Sequence, residues 1–150
     1  MDQNNVVNTV EKLIEACKDG ENGYRDAAEH VKRSDLKTFF LEQSLERAKF
    51  AGELQAELPR LGEHEKKDSG SASAAVHRAW IDTKVSLGGS DKTILESVEG
   101  GEDSAKASYE KALTTSLPTN VAQIVQRQAA RVKQAHDRVR DLRDAAKAAA

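Results

Sequence analysis

Apolar residues recur every three or four positions through four long segments of the chain, and this spacing constrains the fold more than any other feature. Side chains at that spacing share one face of an α-helix, so each segment predicts a helix with a buried side. The third segment is interrupted, because its inner face consists of Leu95, Val98, Glu102, Ala105, Tyr109 and Ala112. A carboxylate buried at Glu102 must be paired, hydrogen-bonded, protonated or bound to a metal.

The periodic segments predict an all-α protein with a single domain. The predicted helices cover residues 4–31, 35–61, 74–87 together with 91–115, and 118–145. Gly88 and Gly89 are expected to break the third helix, and the polar residues 62–73 are expected to form the longest loop. Two antiparallel hairpins joined by a longer connection make a four-helix bundle with a crossover.

Glycines inside the predicted helices mark positions of weakness or close approach. Gly20 and Gly23 each disfavour a helix by up to about 1 kcal/mol relative to Ala, so the first helix is expected to bend there or to lie close to another backbone. Gly100 and Gly101 predict a weak joint just before Glu102. The alternative is that a helix begins at Gly101, since Glu102 and Asp103 suit a helix N-terminus electrostatically.

Composition narrows the class of partner. The formal net charge is −2, which gives no uniformly basic surface and argues against binding to nucleic acid. No run approaches the roughly twenty apolar residues of a membrane span, so no membrane partner is expected. The single cysteine, Cys17, lies in the first apolar stripe and is expected to be a reduced core residue, which fits a cytoplasmic location.

Each predicted helix carries polar residues near its middle, and their levels can be compared. Glu21 and Glu46 both lie roughly 18 Å from the first turn, at 1.5 Å per residue. With Glu102 and His136 they form a candidate metal site, because two-metal carboxylate centres in four-helix bundles take two Glu and two Glu-x-x-His motifs. Lys49 and Lys133 stand where that pattern requires a His and a Glu.

The alternative is an internal hydrogen-bonded network. Arg47 lies in the neighbouring stripe and could neutralise the buried acids through a salt bridge. That network is predicted to consist of Tyr24, Gln43, Arg47, Tyr109 and Gln128. It requires no cofactor, whereas the metal site would hold iron or another divalent ion.

Five segments together resemble a bacterial family of unknown function in the ferritin-like superfamily. They are CKDGENGYRDAAEHV (residues 17–31), LERAKFAGELQAEL (45–58), HRAW (77–80), GEDSAKASYEKAL (101–113) and VKQAHDRVRDLRD (132–144). The resemblance runs nearly end to end and implies a ferritin-like four-helix bundle with no established activity. Some ferritin-like relatives are associated with stress responses.

These observations favour a non-catalytic bundle that acts by self-association or by binding a protein partner, with a stress-associated role. A stable assembly is expected to bury the Trp80 helix or the last helix. One alternative is a protein that binds one metal ion or a small ligand in the mid-bundle Glu/His layer. A second is a degenerate di-metal oxidase or peroxidase, which the two lysines disfavour.

Overall fold

The computed structural model describes residues 3–62, 79–80 and 88–149. Those residues form four long α-helices and no strand: α1 (Gln3–His30), α2 (Ser34–Gln55), α3 (Asp91–Leu113) and α4 (Thr119–Ala149). Ala79 and Trp80 are also helical, while the rest of the predicted helix 74–87 and nearly all of the predicted loop 62–73 lie outside the described residues. The all-α four-helix bundle is therefore confirmed.

The helices form two antiparallel hairpins, α1 with α2 and α3 with α4, which pack against each other. Asp91, the first residue of α3, accepts hydrogen bonds from the backbone amides of Lys32 (2.8 Å) and Arg33 (3.0 Å) in the α1–α2 turn. Helix α3 therefore begins at the end of the bundle where α2 begins, and the two run parallel. Because α2 ends at the opposite end, the chain between α2 and α3 connects the two ends of the bundle.

Two groups of buried apolar side chains fill the bundle. One lies toward the start of α1 and includes Leu13, Leu54 and Val125, while the other lies toward the α1–α2 turn and includes Phe40 and Leu95. Burial of such a side chain stabilises the fold by about 1.5–3 kcal/mol. None of the described helices combines the length and the apolar content needed to cross a membrane.

One predicted helix boundary and one predicted weak joint were wrong. Helix α2 ends at Gln55 instead of residue 61, and a turn and a short 3-10 helix (Pro59–Leu61) follow. Pro59 has no amide hydrogen to continue the helical hydrogen bonds, which explains the early end. Helix α3 passes through Gly100 and Gly101 without the predicted joint. The cap at Ser90 is confirmed, since its hydroxyl accepts a hydrogen bond from the amide of Thr93.

The helical glycines make room for two large side chains. A Cβ atom at Gly20 would lie 2.9 Å from a guanidinium nitrogen of Arg47. A Cβ atom at Gly23 or Gly101 would lie 2.1 or 2.5 Å from the indole ring of Trp80. The sequence predicted either a bend in α1 or a close approach of another backbone at Gly20 and Gly23, but the atoms that come closest there belong to the side chains of Arg47 and Trp80. Trp80 thus packs between α1 and α3 with 4% of its surface exposed.

Candidate functional site

The centre of the bundle holds a buried ion pair between α2 and α3. An Nη2 hydrogen of Arg47 is donated to Oε2 of Glu102 at 2.6 Å, and both side chains are almost completely inaccessible. The hydroxyl of Tyr24 on α1 donates to the same oxygen, also at 2.6 Å. The guanidinium of Arg47 lies 5.5 Å from the centre of the Tyr24 ring, a favourable cation–π distance. We call Tyr24, Arg47 and Glu102 the central triad.

The electrostatics of the central triad favour its charged pair. Burial alone would lower the pKa of Arg47, but the charge of Glu102 raises that pKa above its ordinary value, so the guanidinium keeps its proton. Burial, followed by the charge of Glu102, raises the pKa of the Tyr24 hydroxyl well above its usual range. Tyr24 therefore remains a hydrogen-bond donor. A carboxylate that already accepts hydrogen bonds from a cation and a phenol is a poor ligand for a metal ion.

A second chain of polar side chains lies two helical turns from the central triad, toward the start of α1 and the end of α3. Tyr109 donates its hydroxyl hydrogen to Oε1 of Gln128 at 2.7 Å, so the sulfur of Cys17, 3.1 Å from that hydroxyl oxygen, must be the donor in their contact. Gln128 in turn donates to the carbonyl oxygen of Phe50 and to Oε1 of Glu53. Burial raises the pKa of the Cys17 thiol to about 11. Cys17 is accordingly an unreactive thiol that belongs to the polar interior.

The structure does not bring the four predicted metal ligands together. Glu102 is held by Arg47, whereas Glu46 pairs with Arg131 on α4 at 2.8 Å. Glu21 is about one-third exposed and lies 3.8 Å from Arg25 on its own helix. The fourth residue, His136, contacts a different set of acids. Each of the four predicted ligands thus has different partners.

The predicted network residues have separate roles. Tyr24 and Arg47 belong to the central triad, and Tyr109 and Gln128 belong to the second polar chain. Gln43 joins neither: it is partly buried near Glu46 at the surface between α2 and α4, and its Oε1 has no hydrogen-bond partner among the described residues. Cys17 was predicted to be a reduced core residue, and it is a free, buried thiol; its hydrogen bond to Tyr109 was missed.

A cluster of metal-binding side chain types lies where α3 meets α4. Ligand atoms of Glu99, Asp103 and His136 all lie within 4.8 Å of one another. His136 Nε2 is 2.6 Å from Oδ1 of Asp103, and His136 Nδ1 is 3.0 Å from Oδ1 of Asp137. The side chain of His136 is 9% exposed, whereas that of Asp103 is 63% exposed. We call Glu99, Asp103 and His136 the α3–α4 cluster.

Sequence reasoning found only His136 of this cluster. The signal that could have revealed the other two is their spacing, since Glu99 and Asp103 are four residues apart and share one face of α3. That face is rotated away from the inward-facing stripe that contains Glu102. The interrupted stripe therefore indicates Glu102, which is paired with Arg47, and does not indicate Glu99 or Asp103.

Residues 5–115 match a protein family described as Domain of unknown function (DUF2383). The chain belongs to this family. The DUF2383 match covers α1, α2 and α3 almost completely, so it contains the central triad and Trp80. It ends before α4, which supplies His136 and Gln128. No curated protein matches the chain. Because the DUF2383 description names neither a superfamily nor an organism, the ferritin-like and bacterial parts of the resemblance stay predictions.

Two large apolar side chains on the outer face of α2 are exposed to water. Leu45 is 73% exposed and Leu41 is 44% exposed, four residues apart on the same side. Gly52 continues this side, and no neighbouring side chain among the described residues lies within 4 Å of the position that a Cβ atom would take there. Two charged residues, Glu42 and Lys49, lie beside the leucines. We call Leu41, Glu42, Leu45, Lys49 and Gly52 the outer α2 face.

Proposed function

We propose that this DUF2383 protein is a non-catalytic helical module that acts by self-association through the outer α2 face. The observation that carries the proposal is the exposure of Leu41 and Leu45 on one side of a helix whose other side is fully packed. Covering these side chains would remove apolar surface from water at about 25 cal/mol per Å². The central triad supports the non-catalytic part, since its acid is already neutralised by Arg47.

The charges on the outer α2 face favour a second copy of the same chain as the occupant. Glu42 and Lys49 are seven residues apart and lie on the two sides of Leu45 along the helix axis. If an antiparallel copy of α2 packs across a two-fold axis near Leu45, Glu42 of each chain faces Lys49 of the other. Such self-complementarity is what a two-fold symmetric interface requires. Gly52 would let the two helix backbones approach closely at each end of the contact.

This proposal changes the expected location of the interface. The sequence predicted an assembly that buries the Trp80 helix or the last helix. The Trp80 indole is already enclosed between Gly23 and Gly101 of its own chain, so it contributes little to any further interface. The exposed leucines of α2 take its place in the proposal.

Sedimentation velocity over a concentration series tests the proposal. We expect the wild-type protein to dimerise with increasing concentration and Leu45→Glu to stay monomeric, because the substitution places two carboxylates near the axis. Leu113→Glu is the matched control, since Leu113 is 43% exposed at the far end of α3 and should leave the dimer intact. A wild-type protein that stays monomeric at millimolar concentration, or a Leu45→Glu protein that dimerises like wild type, would contradict it.

The cellular setting is part of the same proposal. A buried, unpaired Cys17 is compatible with the reducing bacterial cytoplasm, and the ferritin-like resemblance suggests a role in stress responses. A strain that carries only the Leu45→Glu allele should then show the same stress sensitivity as a deletion strain. Growth of both strains like wild type under oxidative, osmotic and starvation stress would remove this part of the proposal.

A further inference from the structure

The α3–α4 cluster has the composition of an open transition-metal site. It offers one imidazole nitrogen and two carboxylate oxygens from two helices, the ligand types that zinc and similar divalent ions accept. Around an ion with bonds of about 2.1 Å, neighbouring ligand atoms lie roughly 3.0–3.5 Å apart. The ligand atoms lie within 4.8 Å of one another, so side-chain rotations would have to adjust these distances around an ion. Three protein ligands would leave a position for water or another ligand.

The orientation of His136 is a separate observation in favour of a ligand. Its Nδ1 atom faces Oδ1 of Asp137, and its Nε2 atom faces the carboxylates on α3. Histidines that bind metals commonly donate the other ring hydrogen to a carboxylate, which fixes the tautomer and the ring orientation. Asp137 is itself held by Lys133 at 2.8 Å and lies 3.6 Å from Arg140. The imidazole is thus oriented from α4 toward acids that come from α3.

Arg143 is the group that competes most directly with a metal ion at this position. It donates from Nη1 to Oε1 of Glu99 and from Nη2 to Oδ1 of Asp144. The hydrogen bond to Oε1 leaves Oε2 of Glu99 as a candidate ligand atom, and hydrogen bonds to the second oxygen of a ligating carboxylate are common. Asp103 is exposed and has no cation among the described residues other than His136 within ion-pair distance. An incoming ion can therefore reach the cluster from solvent beside Asp103.

We propose that Glu99, Asp103 and His136 form a binding site for one divalent first-row transition ion, with zinc as the reference ion. Asp137 acts as the positioning residue for His136. This site is distinct from the mid-bundle Glu21, Glu46, Glu102 and His136 set, with which it shares only His136. It does not depend on self-association through α2, because its residues lie on α3 and α4.

Isothermal titration of the full-length, untagged protein with zinc chloride tests the site. We expect one equivalent to bind, and Asp103→Asn to weaken that binding by about tenfold or more. Asp103 is the sharpest variant because its side chain is mostly exposed, so its replacement should leave the fold unchanged by circular dichroism. His136→Ala is expected to remove binding, while His30→Ala, which changes an exposed histidine at the end of α1, is expected to have no effect.

Two further variants separate this site from its alternatives. Asp137→Asn should weaken zinc binding by roughly 10–100-fold if the carboxylate orients His136. Glu102→Gln should leave the affinity unchanged, because that acid belongs to the central triad. Absence of saturable zinc binding, unchanged affinity in Asp103→Asn, or loss of binding in a Glu102→Gln protein that is folded by circular dichroism would each overturn the assignment. Substitution of cobalt for zinc gives an independent readout, since its visible absorption should show oxygen and nitrogen ligation and should be lost in His136→Ala.

Discussion

A single acid and a pair of acids lie within one turn of each other on α3 and have different environments. Glu102 points into the bundle, is completely buried, and shares one oxygen between Arg47 and Tyr24. Glu99 and Asp103 lie on the neighbouring face, nearer solvent, and gather around His136. Glu102 has a permanent cation, Arg47, as its partner. Of the other two acids, only Glu99 has an arginine beside it, Arg143, and both acids lie near an imidazole that can act as a ligand.

The comparison of Glu102 with the α3–α4 cluster shows that burial of an acid in a helical bundle is, by itself, poor evidence for a metal site. A fully buried carboxylate needs compensation at all times, and an arginine supplies it without dependence on the metal supply. An acid that is exposed to water and has no permanent cation beside it can be approached by an ion. Asp103 of the α3–α4 cluster is 63% exposed and meets that description, whereas Glu102 of the central triad does not.

The largest expected effect separates the two regions by stability. Arg47→Met strands the buried charge of Glu102, so it should lower the free energy of unfolding by about 3–5 kcal/mol. Arg143→Met is the matched control, because it also removes an arginine from a glutamate of α3, in a pair where the side chain of Arg143 is 26% exposed. It should lower the free energy of unfolding by clearly less than Arg47→Met does, because water can reach the Arg143 side of that pair. Urea unfolding measures both, and equal losses would abolish the distinction between the regions.

A smaller effect is expected at adjacent glycines of α3. Gly101→Ala places a Cβ atom against the Trp80 ring, at 2.5 Å in the present structure, so the variant should lose about 1–3 kcal/mol through overpacking. Gly100→Ala is the control, since nothing lies within 4 Å of its Cβ position. That change should stabilise the helix by about 0.5–1 kcal/mol. Thermal denaturation should therefore shift in opposite directions, and shifts in the same direction would contradict the packing of Trp80.

The smallest expected effect on stability concerns Cys17. It tests whether the interior of the bundle is closed to solvent, in contrast to the partly exposed α3–α4 cluster. Its pKa rises from the ordinary 9.0 to about 11, so near pH 9 the native protein should react with iodoacetamide much more slowly than the urea-unfolded chain. Between pH 9 and 11 the unfolded chain releases this proton first, so the free energy of unfolding should fall as pH rises. Cys17→Ala should remove that contribution. Equal alkylation rates in the native and unfolded states would show that this interior is open to solvent.

Much of the fold could be predicted because helix periodicity is a local property of the chain. The four long helices and the cap at Ser90 follow from apolar spacing and end signals. The effect of Pro59 on the end of α2 was missed, although the sequence contains its cause. The need for glycine at positions 23 and 101 could not be predicted from the local sequence, because it depends on the packing of Trp80, which lies in the chain between α2 and α3.

The candidate sites were harder to predict because pairing depends on helix rotation and level. The sequence identified Glu102 and Arg47 as inward-facing, yet it could not determine that Arg47 would bond to Glu102 while Glu46 turned to Arg131. A rotation of one residue, about 100° around a helix, separates Glu102 from Asp103. Because of this rotation, Glu102 is enclosed by the core while Asp103 lies beside His136.

The most direct test of the account is a double-mutant cycle between Arg47 and Glu102, measured by urea unfolding of wild type, Arg47→Met, Glu102→Gln and the double variant. Gln keeps an acceptor oxygen for Tyr24 while it removes the charge. If the ion pair is closed, the double variant should be more stable than Arg47→Met alone, because the stranded carboxylate is gone. Additive losses, with the double variant the least stable of the four, would contradict a closed ion pair at the centre of the bundle.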